Sequence, residues 1–183
     1  MSGSNRIQVY LSTSTCYTMK ILIILLNVAF ILGASCKKGE KLTPETQTGA
    51  NTFSCKINGE IFKPKAGDFV EGLTVNLYNN IDLVILVTGT QYNPVKELLI
   101  SFKDIPLEGT YLLNFNQSKY ATYKLLNTPA QFHSKTLNSG KVVITRLDRN
   151  QRIISGRFDF QLTNESNSGE TLNITEGRFD VKY

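Results

Sequence analysis

The sequence predicts an all-β protein, an antiparallel sandwich or barrel of about ten strands with little helix. From Thr52 onward apolar and polar residues alternate, and the apolar spacing typical of a helix is nearly absent. The alternating stretches are short, and Gly, Asn and Asp, which favour turns, lie between them. The chain has 183 residues, 41% of them hydrophobic, so it is long enough to bury one core.

The charge of the chain gives no sign of a nucleic-acid partner. Lysine and arginine together number 20 against 15 acidic residues, which is a formal net charge of +5. The basic residues are scattered along the sequence and form neither a run nor a helical stripe. A solvated surface explains this pattern, and we expect no nucleic-acid binding.

An apolar segment near the N-terminus predicts export and a lipid anchor. Lys20 precedes the uncharged stretch 21–35, which is shorter than the roughly 20 residues that a membrane-spanning helix needs. Residues 19–35 instead fit a secretory signal that ends in three small residues, and Cys36 follows at once. This arrangement resembles a bacterial lipoprotein signal, in which the chain is cut before the cysteine and the sulfur carries a diacylglycerol.

The signal divides the chain into segments. Residues 1–18 fit no part of a signal, so we expect Met19 to be the true start of the protein. The stretch 36–51 is polar, contains glycine and proline and lacks an apolar period, which predicts a flexible tether behind a lipidated Cys36. The folded body is then expected to occupy residues 52–183.

The first two predicted strands form a hairpin. Asn58-Gly59, between two alternating stretches, is the strongest two-residue turn signal, and it places Cys55 opposite Phe62. We expect Cys55 to pack in the core as a small hydrophobic residue. With Cys36 acylated, it has no partner for an internal disulfide.

The rest of the body continues the same pattern. The segment 81–87 is apolar on both parities, which predicts a central strand covered on both faces. The other predicted strands cover residues 73–78, 97–102, 110–114, 119–125, 130–134, 141–148, 152–163 and 171–183.

The tetrapeptide Gly-Arg-Phe-Asp occurs twice, at 156–159 and at 177–180. The inward-facing parity of the last strand changes before Phe179, and such a one-residue slip has to be absorbed. We therefore expect a bulge at Gly177. The two strands then pair with their apolar residues on one face, and Phe179 lies over the bare Gly156.

The outer face of this hairpin carries charges. Arg157 is predicted to stand opposite Arg178, with Asp180 and Asp159 as diagonal neighbours. We expect an exposed ladder of alternating charge, in which each pair is worth about 0–1 kcal/mol. A ligand site made of these four residues is the alternative interpretation.

Three tyrosines, Tyr111, Tyr120 and Tyr123, gather in one region of the sequence beside two lysines. Exposed on a sheet face, they would form a surface for a sugar or a peptide. Packed against neighbouring strands, they would be part of the core, and we favour packing because aromatic residues bury readily in sheets.

Recognisable catalytic, metal-binding and cofactor-binding motifs are missing from the sequence. His133 is the only histidine, which excludes a histidine-rich zinc site. There is no P-loop, no GxGxxG, no GxSxG and no calcium loop. We therefore expect no enzyme activity, no metal and no cofactor. A hydrolase would need dispersed carboxylates gathered in a cleft, or His133 beside Ser134 and an acid.

The organisation as a whole is similar to the uncharacterised small lipoproteins of Bacteroidota that are assigned to a domain of unknown function. The stretch 48–55, the Asn58-Gly59 turn and the segments 153–158 and 174–180 carry this resemblance. It covers nearly all of the mature chain. The resemblance implies an all-β fold and a location in the cell envelope, at the outer membrane, and it supplies no activity.

These observations favour a lipid-anchored cell-envelope protein whose β domain binds or scaffolds a glycan or another envelope protein without catalysis. One alternative is a carrier of a small apolar molecule in a barrel cavity. The hydrolase is the second alternative. In each case the lipid anchor makes the contact with the membrane. The domain is expected on either the periplasmic or the surface face.

Overall fold

The computed structural model of the protein describes residues 40–68, 71–79, 82–105, 107–113, 118–134 and 139–183. The predictions for the start site, the signal and Cys36 lie outside these residues. Within the described residues the chain forms eleven strands and no helix, so the predicted all-β fold is confirmed. A helix long and apolar enough to cross a membrane is likewise not found in this part of the chain.

The strands agree closely with those predicted from the alternation. In chain order they are β1 (Thr52–Ile57), β2 (Glu60–Phe62), β3 (Leu73–Tyr78), β4 (Asp82–Gly89), β5 (Lys96–Phe102), β6 (Gly109–Leu112), β7 (Lys119–Leu125), β8 (Gln131–His133), β9 (Gly140–Asp148), β10 (Ile153–Asn164) and β11 (Thr171–Lys182).

All strands belong to one antiparallel sheet. Its order is β2-β1-β11-β10-β8-β7-β5-β4-β3, while β9 pairs with β10 and β6 pairs with β9. The long β10 divides the sheet, because its residues 153–160 pair with β9 and its residues 163–164 pair with β8. The sheet therefore has two branches that share β10.

The sheet curls into a half-barrel, and its described strands do not form the two packed sheets of the predicted sandwich alternative. After β2, Lys65 forms an isolated parallel bridge with Gly89 at the end of β4. The Lys65 N–H donates to the carbonyl of Thr88 at 3.0 Å. Nearby, the Tyr92 hydroxyl donates to the carbonyl of Ile61 at 3.3 Å. These contacts join the region of β2, at one end of the strand order, to β4 and the segment after it, near the other end.

The hydrophobic core lies on the concave inner face, where alternate residues of each strand point. Phe53, Phe62, Phe102 and Phe158 are its largest fully buried side chains, and the rings of Phe53 and Phe158 stack with centroids 5.2 Å apart. Cys55 pairs with Phe62 and is completely buried, as predicted. Burial raises the pKa of its thiol, so this cysteine is an unreactive core residue.

The strand β4 differs in one respect from its prediction. It lies between β3 and β5, and its inner residues Leu83, Ile85 and Val87 are completely buried. Its outer residues Val84 and Leu86 are only half-buried. The strand is thus internal to the sheet, but the described part of the chain covers one of its faces more fully than the other.

The segment before β1, residues 43–51, lies across the outer face of the sheet, and we call it the strap. The Thr43 N–H donates to the Ser54 hydroxyl at 3.0 Å. Beneath the strap, Ser54 and Ser155 are almost completely buried on a face that alternation alone predicts to be exposed. The predicted tether 36–51 is thus corrected from Thr43 onward, because hydrogen bonds to the sheet hold this part of the chain.

Candidate functional site

The two Gly-Arg-Phe-Asp copies lie opposite each other in the β10–β11 hairpin. Gly156 pairs with Phe179 and Phe158 pairs with Gly177, so each glycine faces the phenylalanine of the other copy. A Cβ atom on Gly156 would lie 2.6 Å from Phe179 Cζ, and one on Gly177 would lie closer still to the Phe158 ring. Both positions therefore need glycine for space. The predicted pairing of apolar residues on one face is also present, in the pairs Leu162–Leu172, Phe160–Ile174 and Ile154–Val181.

The predicted change of parity in β11 is confirmed, but the bulge is not at Gly177. The register of the β10–β11 pairing shifts beside Asp159. Glu176 has a left-handed φ of 51°, and its N–H donates to Asp159 Oδ1 at 3.1 Å. The irregular backbone thus falls on Glu176, while Gly177 makes room for the ring of Phe158.

The outer face of the hairpin pairs its charges differently from the prediction. Arg157 stands opposite Arg178, as expected. However, Arg157 Nη2 lies 2.5 Å from Glu45 Oε2, and Arg178 Nη1 lies 3.8 Å from Glu45 Oε1. The predicted ladder through Asp159 and Asp180 is therefore wrong, because the strap brings its own carboxylate over both arginines.

Asp180 is 1% exposed, and its carboxylate binds the strap. The two shortest hydrogen bonds to this carboxylate come from the hydroxyl of Thr46 in the strap, at 2.6 Å, and from the hydroxyl of Ser155 on β10, at 2.7 Å. Within the described residues, the donors to this carboxylate are the N–H groups of Thr48, Gly49 and Ala50 and the hydroxyls of Thr46, Thr48 and Ser155. The carboxylate thus fastens the strap to β10 and β11.

These donors also decide the ionisation of Asp180. Burial by itself would raise the pKa of the carboxyl, but the hydroxyls of Thr46 and Ser155 and the backbone N–H groups of the strap outweigh it. They hold the pKa of Asp180 well below its usual range, because hydrogen bonds to the charged form stabilise that form. Asp180 is therefore an ionised structural group whose oxygens are occupied.

A small polar cavity of about 170 Å³ lies between the strap and the hairpin. Arg157, Arg178 and Glu45 contribute to its walls. Of the four residues in the predicted ligand site, the structure brings the two arginines to this cavity. Asp180 is engaged by the strap, and Asp159 accepts the Glu176 N–H instead.

The three candidate tyrosines do not form one site. Tyr123 on β7 faces inward, is 4% exposed and packs against Phe132 with ring centroids 6.1 Å apart. Tyr111 on β6 is half-buried, and its ring makes an edge-on contact with the ring of Phe102, with the centroids 6.5 Å apart. Tyr120 lies on the outer face of β7, since neighbouring odd positions point inward. Tyr111 and Tyr123 therefore pack against neighbouring rings and do not form an exposed binding surface.

His133 and Ser134, which the hydrolase alternative would pair, point to opposite faces of the sheet. The inward Ser134 hydroxyl is buried and accepts the Ala121 N–H at 3.1 Å. His133 lies between Thr122 and Thr163 on the neighbouring strands. Within the described ranges, side chains that bind metals do not gather in groups of three or more.

One end of the half-barrel holds a second cavity, of about 400 Å³, which we call the mouth cavity. It lies where the ends of β1, β7 and β11 meet β8 and the segment before β5. Its apolar walls are formed by Ile57, Pro94, Tyr123, Leu125, Phe132 and Leu172. Of the candidate residues from the sequence, the structure places Tyr123 here.

Polar residues complete the lining of the mouth cavity. They are Asn58, Glu60, Lys96 and Glu170, of which all but Lys96 are exposed. Lys96 Nζ lies 4.4 Å from the centroid of the Tyr92 ring, a cation–π contact that positions the ammonium group. The cavity therefore combines apolar walls with a rim that carries charges of both signs.

The Tyr123 side chain in the wall of the mouth cavity is uncharged. Burial, and after it the proximity of Cys55, Tyr92 and Glu60, raises the pKa of Tyr123 to about 12. The Tyr123 hydroxyl therefore keeps its proton at neutral pH. Sequence reasoning missed this cavity because its walls come from elements far apart in the chain. The available signal was a set of apolar residues at strand ends, such as Ile57, Leu125 and Leu172.

The fold and these sites define a class of protein: a single curled antiparallel sheet with a strap fastened to its outer face and a cavity at one end. Residues 51–181 match the family model described as "Domain of unknown function (DUF6252)". The chain belongs to this family, which confirms the predicted resemblance at that level. No curated protein and no solved structure matches the chain.

Proposed function

We propose that this protein is a lipid-anchored domain of the cell envelope that binds a ligand in the mouth cavity without catalysing a reaction. The mouth cavity carries the proposal. Ligand sites in proteins are concave, mostly apolar clefts of roughly 300–1,000 Å³ with a few polar groups. At about 400 Å³, with apolar walls and a charged rim, the mouth cavity fits this description.

The proposed anchor rests on the sequence before the described domain. The single cation Lys20, the uncharged stretch 21–35 and the small residues before Cys36 together support cleavage before Cys36 and acylation of its sulfur. We place the acylated protein at the outer membrane, on either face. The matched family model describes only a domain of unknown function, so the anchor is our inference from these residues.

The strap supports a location close to the membrane surface. The Thr43 N–H donates to the Ser54 hydroxyl, so the free linker between the proposed anchor and the sheet comprises at most residues 37–42. Six residues span at most about 20 Å even when fully extended. An anchor on Cys36 would therefore keep the domain beside the lipid headgroups.

The binding role without catalysis is supported by the chemistry of the mouth cavity. Its walls are mainly apolar, and its buried hydroxyl, that of Tyr123, is held in the neutral form. His133 and Ser134 lie on opposite faces of the sheet and away from each other's reach. Apolar walls favour the carrier alternative over a glycan or another envelope protein as the ligand of this cavity.

Acylation is tested by substituting Cys36→Ala in the native host, with Cys16→Ala as the matched control. We expect Cys36→Ala to lose labelled palmitate and to leave the membrane fraction, because the thiol is the proposed acceptor. Cys16→Ala should retain both properties, since that residue precedes the proposed start. Mass spectrometry of the wild-type protein should show an acylated Cys36 at its N-terminus. Palmitate retained by Cys36→Ala would contradict the anchor.

A further inference from the structure

The mouth cavity has features that point to one class of ligand. We propose that it binds a single fatty acyl chain, supplied by a lipid of the membrane that holds the protein, with the lipid headgroup at the rim. This inference rests on the proposed function and names the ligand of the same site.

The walls suit a slender, flexible apolar chain. Ile57, Leu125 and Leu172 contribute branched aliphatic side chains to the cavity. The aromatic residues Tyr123 and Phe132 are recessed, with only 4% and 3% of their surface exposed. Rings this deeply buried offer little flat surface on which a sugar ring could stack. A flexible acyl chain instead contacts the aliphatic side chains around them.

The rim matches the polar end of a lipid. Lys96 places an ammonium group at the cavity, held near the Tyr92 ring, and Asn58 adds an amide. An anionic carboxylate or phosphate at the head of an acyl chain is complementary to Lys96. Of the two carboxylates on the rim, that of Glu170 accepts a hydrogen bond from Asn164 Nδ2 at 2.6 Å. The exposed Glu60 is complementary to a cationic group in a zwitterionic headgroup.

The path of the strap leads toward this end of the domain. Asn51 lies at the level of Lys182, whose N–H donates to Asn51 Oδ1 at 2.9 Å. Thr43 lies at the level of Arg178, whose Nη1 donates to the Thr43 carbonyl at 3.4 Å. Between these two points the strap crosses to β9, where Arg146 donates to the carbonyl of Gln47. Its upstream end, at the level of Arg178 rather than Lys182, nevertheless lies nearer along β11 to Leu172 in the mouth cavity.

The chain contains no tryptophan, so a single introduced tryptophan is a clean reporter. We choose Leu125→Trp in the wall of the mouth cavity and, as the matched control, Leu112→Trp on β6, where the side chain is 51% exposed outside the cavity. Brominated fatty acids, which quench tryptophan fluorescence, are the probe. They are added to the full chain carrying Cys36→Ser, which lacks the proposed anchor.

We expect quenching of Leu125→Trp and little quenching of Leu112→Trp. Affinity should rise by about fourfold for each added methylene until the cavity is filled, because each buried methylene contributes similarly. Leu172→Glu should weaken binding at least tenfold, on the order expected for a charge placed in an apolar wall. Leu112→Glu is its control. If Leu172→Glu does not fold, Lys96→Glu at the rim replaces it and should also weaken binding.

Equal quenching at the two reporters, or affinity independent of chain length, would overturn the acyl-chain ligand. So would a soluble glycan or envelope protein that changes Leu125→Trp fluorescence when fatty acids do not.

In a second arm, the acylated full chain carrying either reporter is placed in vesicles of brominated phospholipid. Preferential quenching of Leu125→Trp supports a mouth cavity that takes its acyl chain from the membrane, and equal quenching of both reporters contradicts it. If the chain fails to associate with vesicles but still binds fatty acids in solution, the anchor is wrong while the ligand stands.

Discussion

The two copies of Gly-Arg-Phe-Asp have the same sequence and the same inner face, but their aspartates have opposite environments. Asp159 is exposed and accepts the Glu176 N–H at the bulge. Asp180 is 1% exposed and accepts hydrogen bonds from the strap and from Ser155. The inner faces agree because the hairpin pairs each glycine with the other copy's phenylalanine. The outer faces differ because the strap covers one copy's aspartate and not the other's.

The largest expected effect distinguishes these two aspartates. Asp180→Ala should lower the free energy of unfolding by about 3–5 kcal/mol, because it leaves several buried donors without an acceptor. Asp159→Ala should cost less than about 1 kcal/mol, since its donor is exposed to water. Urea unfolding of both variants measures the difference. Similar losses for the two would mean that the strap contributes little to stability.

The pH dependence of unfolding separates the stabilisation due to the charge of Asp180 from that due to the shape of its side chain. Because its pKa is lower in the folded protein, its stabilisation is present above the unfolded pKa of about 3.9 and is lost as pH falls below it. Asp180→Asn removes this ionisation. The stability gap between the wild type and Asp180→Asn should therefore narrow as the pH falls below about 4. A gap that stays constant would contradict the assigned pKa direction.

The glycines of the two copies should show a smaller, crossed pattern of coupling. Gly177→Ala and Gly156→Ala should each cost about 1–3 kcal/mol through overpacking. Phe158→Leu should relieve the first substitution and Phe179→Leu the second, with coupling energies of at least about 0.5 kcal/mol in double-mutant cycles of urea unfolding.

The exchanged combinations, Gly177→Ala with Phe179→Leu and Gly156→Ala with Phe158→Leu, serve as controls and should couple less. Relief at Gly156 should be the less complete of the two, since an added Cβ would also lie 2.5 Å from the Val143 carbonyl oxygen. Equal coupling in all four combinations would show that the glycines respond to general crowding and not to the facing ring.

The smallest expected effect concerns the ion pairs of the strap. Glu45→Gln should cost only about 0–1 kcal/mol, because Glu45 and Arg157 are largely exposed and their attraction is screened. Chemical unfolding at low and high salt measures this cost, which should shrink as salt rises. A loss as large as that of Asp180→Ala would show that the arginines, rather than the buried carboxylate, hold the strap.

Most of the fold could be predicted because its signals are local. Alternation marks the strands, Asn58-Gly59 sets one hairpin, and the apolar residues around Gly156 and Phe179 set the register of another. The position of the bulge could not be predicted, because Gly177 is needed for space under a ring while the left-handed residue is Glu176. A glycine in a sequence does not reveal which of these two needs it serves.

The candidate site was less predictable because it depends on distant parts of the chain. The Thr48 N–H donates to the Asp180 carboxylate across 132 residues of sequence, and no hydrophobic periodicity in either segment predicts that hydrogen bond. The tether prediction failed from Thr43 onward for the same reason, since a polar segment without an apolar period looks unstructured until a buried carboxylate receives its N–H groups.

By itself, the sequence determined the strands, the inner face and the pairing of the repeated tetrapeptides, since each follows from side-chain alternation and turn geometry within a short stretch. Only the tertiary structure decided which aspartate is buried, which carboxylate meets the arginines, and that one end of the half-barrel holds a cavity. These features arise where separate elements meet in space, and the energies that govern them belong to contacts that form only when the sheet has curled.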